Sequence, residues 1–118
     1  MKEMEKEALM SANLPTEVKA YFEGKNARDP ERALSGFTTD AVVGDESQKH
    51  RGHAEIAAWM AETSAKYDEF SEPLESRHDG EKLVVVARVS GNFPGSPADL
   101  TYRFGFSGDR IASLEIGS

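Results

Sequence analysis

The chain is expected to fold as an α+β domain, with helices first and an antiparallel or mixed sheet after them. Three observations carry that expectation. Apolar residues recur at helical spacing over residues 14–25 and again over residues 52–63. From residue 70 onward the pattern turns strand-like, and over residues 100–107 Leu100, Tyr102, Phe104 and Phe106 share one face while Thr101, Arg103 and Gly105 share the other. Helices grouped ahead of a run of strands pack together on one face of a sheet.

Each element has a local reason. Residues 1–13 are rich in Lys, Glu and Met and read as a flexible or helical extension, with the domain proper at residues 14–118. Pro15 opens the first helix, where its missing N–H would have no partner anyway. Leu14, Val18, Tyr21 and Phe22 then form one apolar stripe, and Gly24 and Asn26 weaken the helix end. Asp29 followed by Pro30 is a cap signal for a second, short helix that buries Ala33, Leu34 and Phe37. Residues 41–45 make a short strand ending on Asp45, and a polar loop follows. Gly52 and His53 open a third helix, predicted to run to about residue 63, with Ile56, Trp59, Met60 and Thr63 on one side. Strands are predicted over residues 70–78, 83–93, 100–107 and 111–116. Asp79-Gly80 and Gly108-Asp109 are the turns of two of their connections.

Composition narrows the function. The length of 118 residues suits a single domain. The net charge is −7, with acidic residues concentrated over 68–82, so phosphate backbones and anionic membranes are repelled and neither is an expected partner. Cysteine is absent, which removes disulfides, thiolate metal sites and a cysteine nucleophile. His50, His53 and His78 lack metal-ligand spacing, so no metal is expected. There is no Gly-rich phosphate loop and no serine nucleophile elbow, and no cofactor is expected. No apolar run approaches the ~20 residues of a membrane span, and no secretory leader is visible, so the expected location is cytoplasmic.

Five stretches together look familiar. They are LPTEVKAYFEGKNARDPERAL, FTTDAVVGDE, RGHAEIAAW, HDGEKLVVVARVSG and LTYRFGFSGDRIASLEI, which cover nearly everything from Leu14 to Ile116. In order and spacing the chain resembles the nuclear transport factor 2-like superfamily, in its SnoaL-like and ketosteroid-isomerase-like branches. The resemblance implies a cone-shaped half-barrel, in which a curved sheet wraps the helices around an apolar pocket. It also implies a homodimer joined through the outer sheet face. Members include isomerases, cyclases, dehydratases and non-catalytic binders, so fold alone does not give a reaction.

The resemblance also suggests site residues. Asp45 matches the isomerase general base, which follows the same strand at the same point, and apolar walls would raise its pKa as proton transfer requires. Tyr21 lies 24 residues earlier, similar to the spacing of the isomerase's oxyanion tyrosine from its base. Each also has a plainer reading, Asp45 as a turn cap and Tyr21 as core. The isomerase's second donor, a protonated aspartic acid on a late strand, falls at Leu100, which cannot donate. Asp99 beside it should face the other way, and Tyr102, on the face of Leu100, is a substitute donor. A His50–Asp45 dyad is conceivable, but dehydratases of the superfamily carry their histidine on later strands. Arg103 should face outward in an ion pair. Phe22, Phe37, Val43, Trp59, Tyr102 and Phe104 are the expected lining for a small apolar ligand, or else plain core. Two functions stay open: a cofactor-free isomerase, cyclase or dehydratase using Asp45 and Tyr21 on a carbonyl compound, or a ligand-binding or dimerisation protein without chemistry.

Overall fold

In the computed structural model, which describes residues 14–45 and 48–117, the fold begins with helix α1 (Thr16–Asn26). The extension expected over residues 1–13 lies outside the described residues. Val18, Tyr21 and Phe22 are buried as the stripe predicts, and the stripe ends on Lys25, which is buried too. Helix α2 (Pro30–Ala33) folds back against α1, with the Asp29 side chain accepting from the Arg32 N–H at 3.2 Å. Gly24 permits this, because a Cβ there would collide with the backbone of Ala33. Phe37, expected on this helix, instead begins strand β1 (Phe37–Asp45), because a turn ends the helix after a single winding. It is buried all the same.

The expected polar loop is in part a strand. β2 (Gln48–Arg51) pairs antiparallel with β1, Val43 opposite His50 and Asp45 opposite Gln48. It is an edge strand that pairs through its backbone and keeps polar side chains, so it has no apolar alternation to read. Helix α3 (Gly52–Tyr67) starts on Gly52 at φ +84°, a conformation that favours glycine. Glu55 accepts from the Arg51 N–H at 2.8 Å and closes its first turn. The helix runs a turn beyond residue 63 and stops at Asp68 in the left-handed region.

Strands β3 (Phe70–Asp79), β4 (Lys82–Ser90), β5 (Ala98–Ser107) and β6 (Arg110–Gly117) form an antiparallel meander. β1 adds to β6 in parallel, giving a six-stranded mixed sheet of order β2-β1-β6-β5-β4-β3 that does not close. Its inner face supplies Val43, Val85, Ala87, Tyr102, Phe104 and Leu114 to one core shared with Val18, Tyr21, Phe22, Ile56 and Met60 of the helices. Tyr21, Phe22, Tyr102 and Phe104 meet there mostly edge to face, with ring centres 5.1–6.5 Å apart. The outer face carries ion pairs: Arg88 with Asp99 at 2.9 Å, and Arg103, facing outward as expected, with Asp79 at 3.5 Å.

Candidate functional site

A cavity of about 360 Å³ opens between α3, the end of α1 and the inner face of the sheet. That volume lies at the small end of the range for small-molecule sites, roughly 300–1,000 Å³. Trp59 and Met60 of α3, Leu100 of β5 and Ile116 of β6 give it an apolar wall. Lys25, Asp45, Glu69 and Tyr102 bring polar groups to the same space.

The positions follow from the register. Asp45 is the last residue of β1, paired with Gln48 on one side and Ile116 on the other, and it is half-buried. Val43 and Asp45 lie two residues apart on one face, so the strand that buries Val43 in the core carries Asp45 to the rim. Tyr102 sits opposite both Val85 and Ile116 and is buried while still lining the cavity.

Behind Tyr102 lies a polar network. Lys25 Nζ donates to Ser71 Oγ at 2.7 Å and to Glu69 Oε1 at 3.2 Å. Ser71 is fully buried, and its backbone is clamped by Asn26: Asn26 Nδ2 donates to Ser71 O, and the Ser71 N–H donates to Asn26 Oδ1, both at 2.8 Å. Arg28 ties down the preceding corner by donating to Glu69 O and to Asp68 Oδ1, both at 2.6 Å. Burial lowers the Lys25 ammonium from its ordinary pKa, and the charge and hydrogen bond of Glu69 partly restore it. Burial pushes the Tyr102 phenol well up; nearby Ser71 draws it partly back, and the Glu69 and Asp45 carboxylates add to the rise. Tyr21 is raised as well, by burial first and then by Tyr102, Glu69 and Asp45. Asp45 thus acts electrostatically on Lys25, Tyr21 and Tyr102 alike.

Of the residues expected at the site, Asp45, Trp59 and Tyr102 line this cavity. Tyr21 does not: it is fully buried in the aromatic core, and its hydroxyl has no hydrogen-bond partner among the described residues. Phe22, Phe37, Val43 and Phe104 are core side chains that support the cavity from beneath. Leu100 lines it, and Asp99 faces away to Arg88, as alternation requires. His50 stacks on Trp59, ring centres 5.3 Å apart. His53 Nε2 lies 3.2 Å from Phe37 O and 3.1 Å from Thr38 O, and His78 is exposed. The sequence reading missed Lys25, Glu69 and Ser71. One signal was there: Lys25 continues the Val18, Tyr21, Phe22 stripe, and a lysine on a buried stripe calls for a partner inside.

Comparison with known proteins agrees with the fold. The family model of the SnoaL-like domain matches residues 18–114. A candidate polyketide cyclase from Sinorhizobium meliloti is 43% identical at a TM-score of 0.85, the match covering 90% of this chain and 97% of that one. A protein with a ketosteroid isomerase-like fold from Catenulispora acidiphila is 18% identical at a TM-score of 0.77, covering 90% and 87%. A protein from Sphaerobacter thermophilus is 25% identical at a TM-score of 0.72, covering 86% and 91%. No curated protein matches the chain. Among the described residues, no helix is long and apolar enough to cross a membrane.

Proposed function

The chain belongs to the SnoaL-like domain family, and from that premise we propose that it binds a small, largely apolar carbonyl compound and moves a proton on it without a cofactor. The observation that supports this most directly is the convergence of Asp45 and Tyr102 on one cavity, part of whose wall is the apolar Trp59, Met60, Leu100 and Ile116. The Asp45 carboxylate removes a proton from the carbon next to the carbonyl. Negative charge then develops on the carbonyl oxygen as the enolate forms, and the Tyr102 hydroxyl donates to that oxygen. The proton returns to a different carbon in an isomerisation, or the enolate carbon bonds to a second carbonyl carbon in a cyclisation, with the alkoxide taking the proton. The 43% identity to the candidate polyketide cyclase favours the second course. The donor role falls to Tyr102 and not to Tyr21, whose hydroxyl lies in the core away from the lining. The same reading includes a homodimer joined through the outer face of the sheet, and a cytoplasmic site of action.

The test is exchange of α-protons in heavy water, followed by NMR over a panel of apolar ketones and diketones. The wild type is expected to exchange at least one compound. Asp45→Asn is expected to slow that exchange by about 10²–10⁴-fold, the usual contribution of a positioned base, while the compound still binds. Binding without exchange in the wild type would leave a ligand-binding protein in place of an enzyme. Exchange that Asp45→Asn leaves unchanged would remove Asp45 from the mechanism.

A further inference from the structure

The proposed proton transfer makes no use of Lys25 and Glu69, yet both line the cavity and they pair with each other at 3.2 Å. Among the described lysines only Lys25 is buried, with 8% of its surface exposed. Lys66, which also lines the cavity, is exposed and lies over the Tyr67 ring. The Lys25 amine is held in place: Nζ donates to Ser71 Oγ at 2.7 Å and to Glu69 Oε1 at 3.2 Å. Asn26 in turn fixes the Ser71 backbone through two hydrogen bonds of 2.8 Å. A buried ion pair is a poor device for stability, because desolvation offsets most of the attraction. An amine fixed in the wall of a cavity has a chemical use instead.

A primary amine attacks a carbonyl carbon once it has lost a proton, and lysines taken out of water are suited to this. Burial draws the Lys25 ammonium below its ordinary pKa, against the opposing pull of Glu69, and the charge of Arg28 adds to the lowering. The proton that must leave has an acceptor at hand, since the Glu69 carboxylate already receives a hydrogen bond from Nζ. Burial, a fixed position and a proton acceptor in contact therefore meet on one amine at the cavity wall.

We propose that Lys25 is a nucleophile that condenses with aldehydes and unhindered ketones in this cavity to form an imine, with Glu69 carrying the protons. Glu69 takes a proton from the ammonium. The freed nitrogen lone pair bonds to the carbonyl carbon, the C=O π pair moves to oxygen, and Glu69 gives that oxygen its proton. Nitrogen passes a second proton to Glu69, which delivers it to the new hydroxyl. The C–O bond breaks, water leaves, and the nitrogen lone pair closes the C=N bond. The balance is ammonium plus carbonyl compound to iminium plus water, with no change of oxidation state. The positive charge stays on the Lys25 nitrogen, so the pair with Glu69 keeps its cation throughout. Esters and amides form no imine and are outside the class. The inference rests on the proposed binding of a carbonyl compound in this cavity, but not on proton removal by Asp45.

Acetylacetone tests it, because its condensation with an amine gives a conjugated enaminone that persists without a reductant. Cyclohexanone with borohydride is the second probe, since hydride addition to the imine carbon fixes it as a secondary amine. Wild-type protein is treated with each, digested, and the modified lysines are located by mass spectrometry. Lys25 is expected to carry the adduct, ahead of Lys66 by roughly tenfold or more, a small part of what positioning contributes to reaction between bound groups. The preference is expected to vanish in urea, where no cavity exists. Lys25→Arg, which keeps the charge but lacks the nucleophilic amine, is expected to lose the enaminone absorbance. If that variant fails to fold, the location of the adduct in the wild type decides the matter. Adducts spread over the exposed lysines, or an unmodified Lys25 in protein that binds the probes, overturn the imine and leave Lys25 in a structural ion pair. Exchange of α-protons in heavy water, measured on the same protein, separates the two readings. Exchange with no Lys25 adduct overturns the imine alone. A Lys25 adduct with no exchange supports the imine and counts against the proton transfer. Probes that neither bind nor react overturn both.

Discussion

Tyr21 and Tyr102 hold protons that the unfolded chain gives up, and this has a measurable consequence at alkaline pH. Burial raises both phenols above the ordinary value of 10.0. Above pH 10 the unfolded state therefore loses protons that the native state keeps, and stability falls as pH rises toward the raised native values. Lys25 acts in the opposite sense, since its native pKa is lowered from 10.5. Its contribution rises with pH within the window below 10.5 and is complete above it. Urea unfolding above pH 10.5 thus isolates the phenols, each steepening the fall by about 1.4 kcal/mol per pH unit. Tyr102→Phe and Tyr21→Phe are each expected to flatten the slope by that amount, and an unchanged slope would mean that the phenol ionises within the fold. These two tyrosines also mark the limit of what periodicity can read. Helical spacing put Tyr21 on the buried stripe but not at what depth, so it could not distinguish a core ring from a cavity wall. Lys25, one turn later on the same stripe, is the residue that reaches the cavity.

At the scale of elements, Gly24 sets how closely α2 is drawn onto α1. Alanine in a helix interior is ordinarily better than glycine by about 1 kcal/mol. Here the added Cβ meets the Ala33 backbone, which is not a flexible side-chain end that can yield. Overpacking of that kind costs about 1–3 kcal/mol, so Gly24→Ala is expected to destabilise the protein, lowering its urea midpoint. A raised midpoint would show that α2 shifts freely against α1. Other elements differ in how openly the sequence announces them. Strand β5 and helix α3 were legible because each buries one face and turns the other outward, which imprints a period; β4 was legible from its apolar, valine-rich run and the Asp79-Gly80 turn before it. β2 was not, because an edge strand of Gln, Lys, His and Arg pairs through its backbone alone. The parallel joining of β1 to β6 was invisible in any local window, since its partners, such as Val43 and Leu114, are far apart in sequence.

The molecule as a whole is two-sided. One face of the sheet is covered by helices and holds the cavity; the other bears no element of this chain among the described residues, yet it is not uniformly polar. Val84 alternates outward with Val86 and Arg88 and is buried all the same. In the register it sits between Arg77 and Arg103, and long side chains of this kind shield a valine with their stems. Around it, Val86 and Thr101 are partly buried and flanked by charges of both signs: Arg88 with Asp99, and Arg103 with Asp79. A small apolar centre with a mixed-charge rim is self-complementary under a two-fold axis, where each arginine of one copy can meet a carboxylate of the other. The proposed homodimer uses this face, which leaves the cavities on opposite outer sides. Sedimentation is expected to give twice the chain mass for the wild type. Val86→Arg, which sets like charges against each other across the axis, is expected to give a folded monomer whose cavity still binds the same ketones as the wild type. A wild type that sediments as a monomer would refute the dimer, and a Val86→Arg protein that remains dimeric would move the interface off this face, to the open β2 or β3 edge of the sheet.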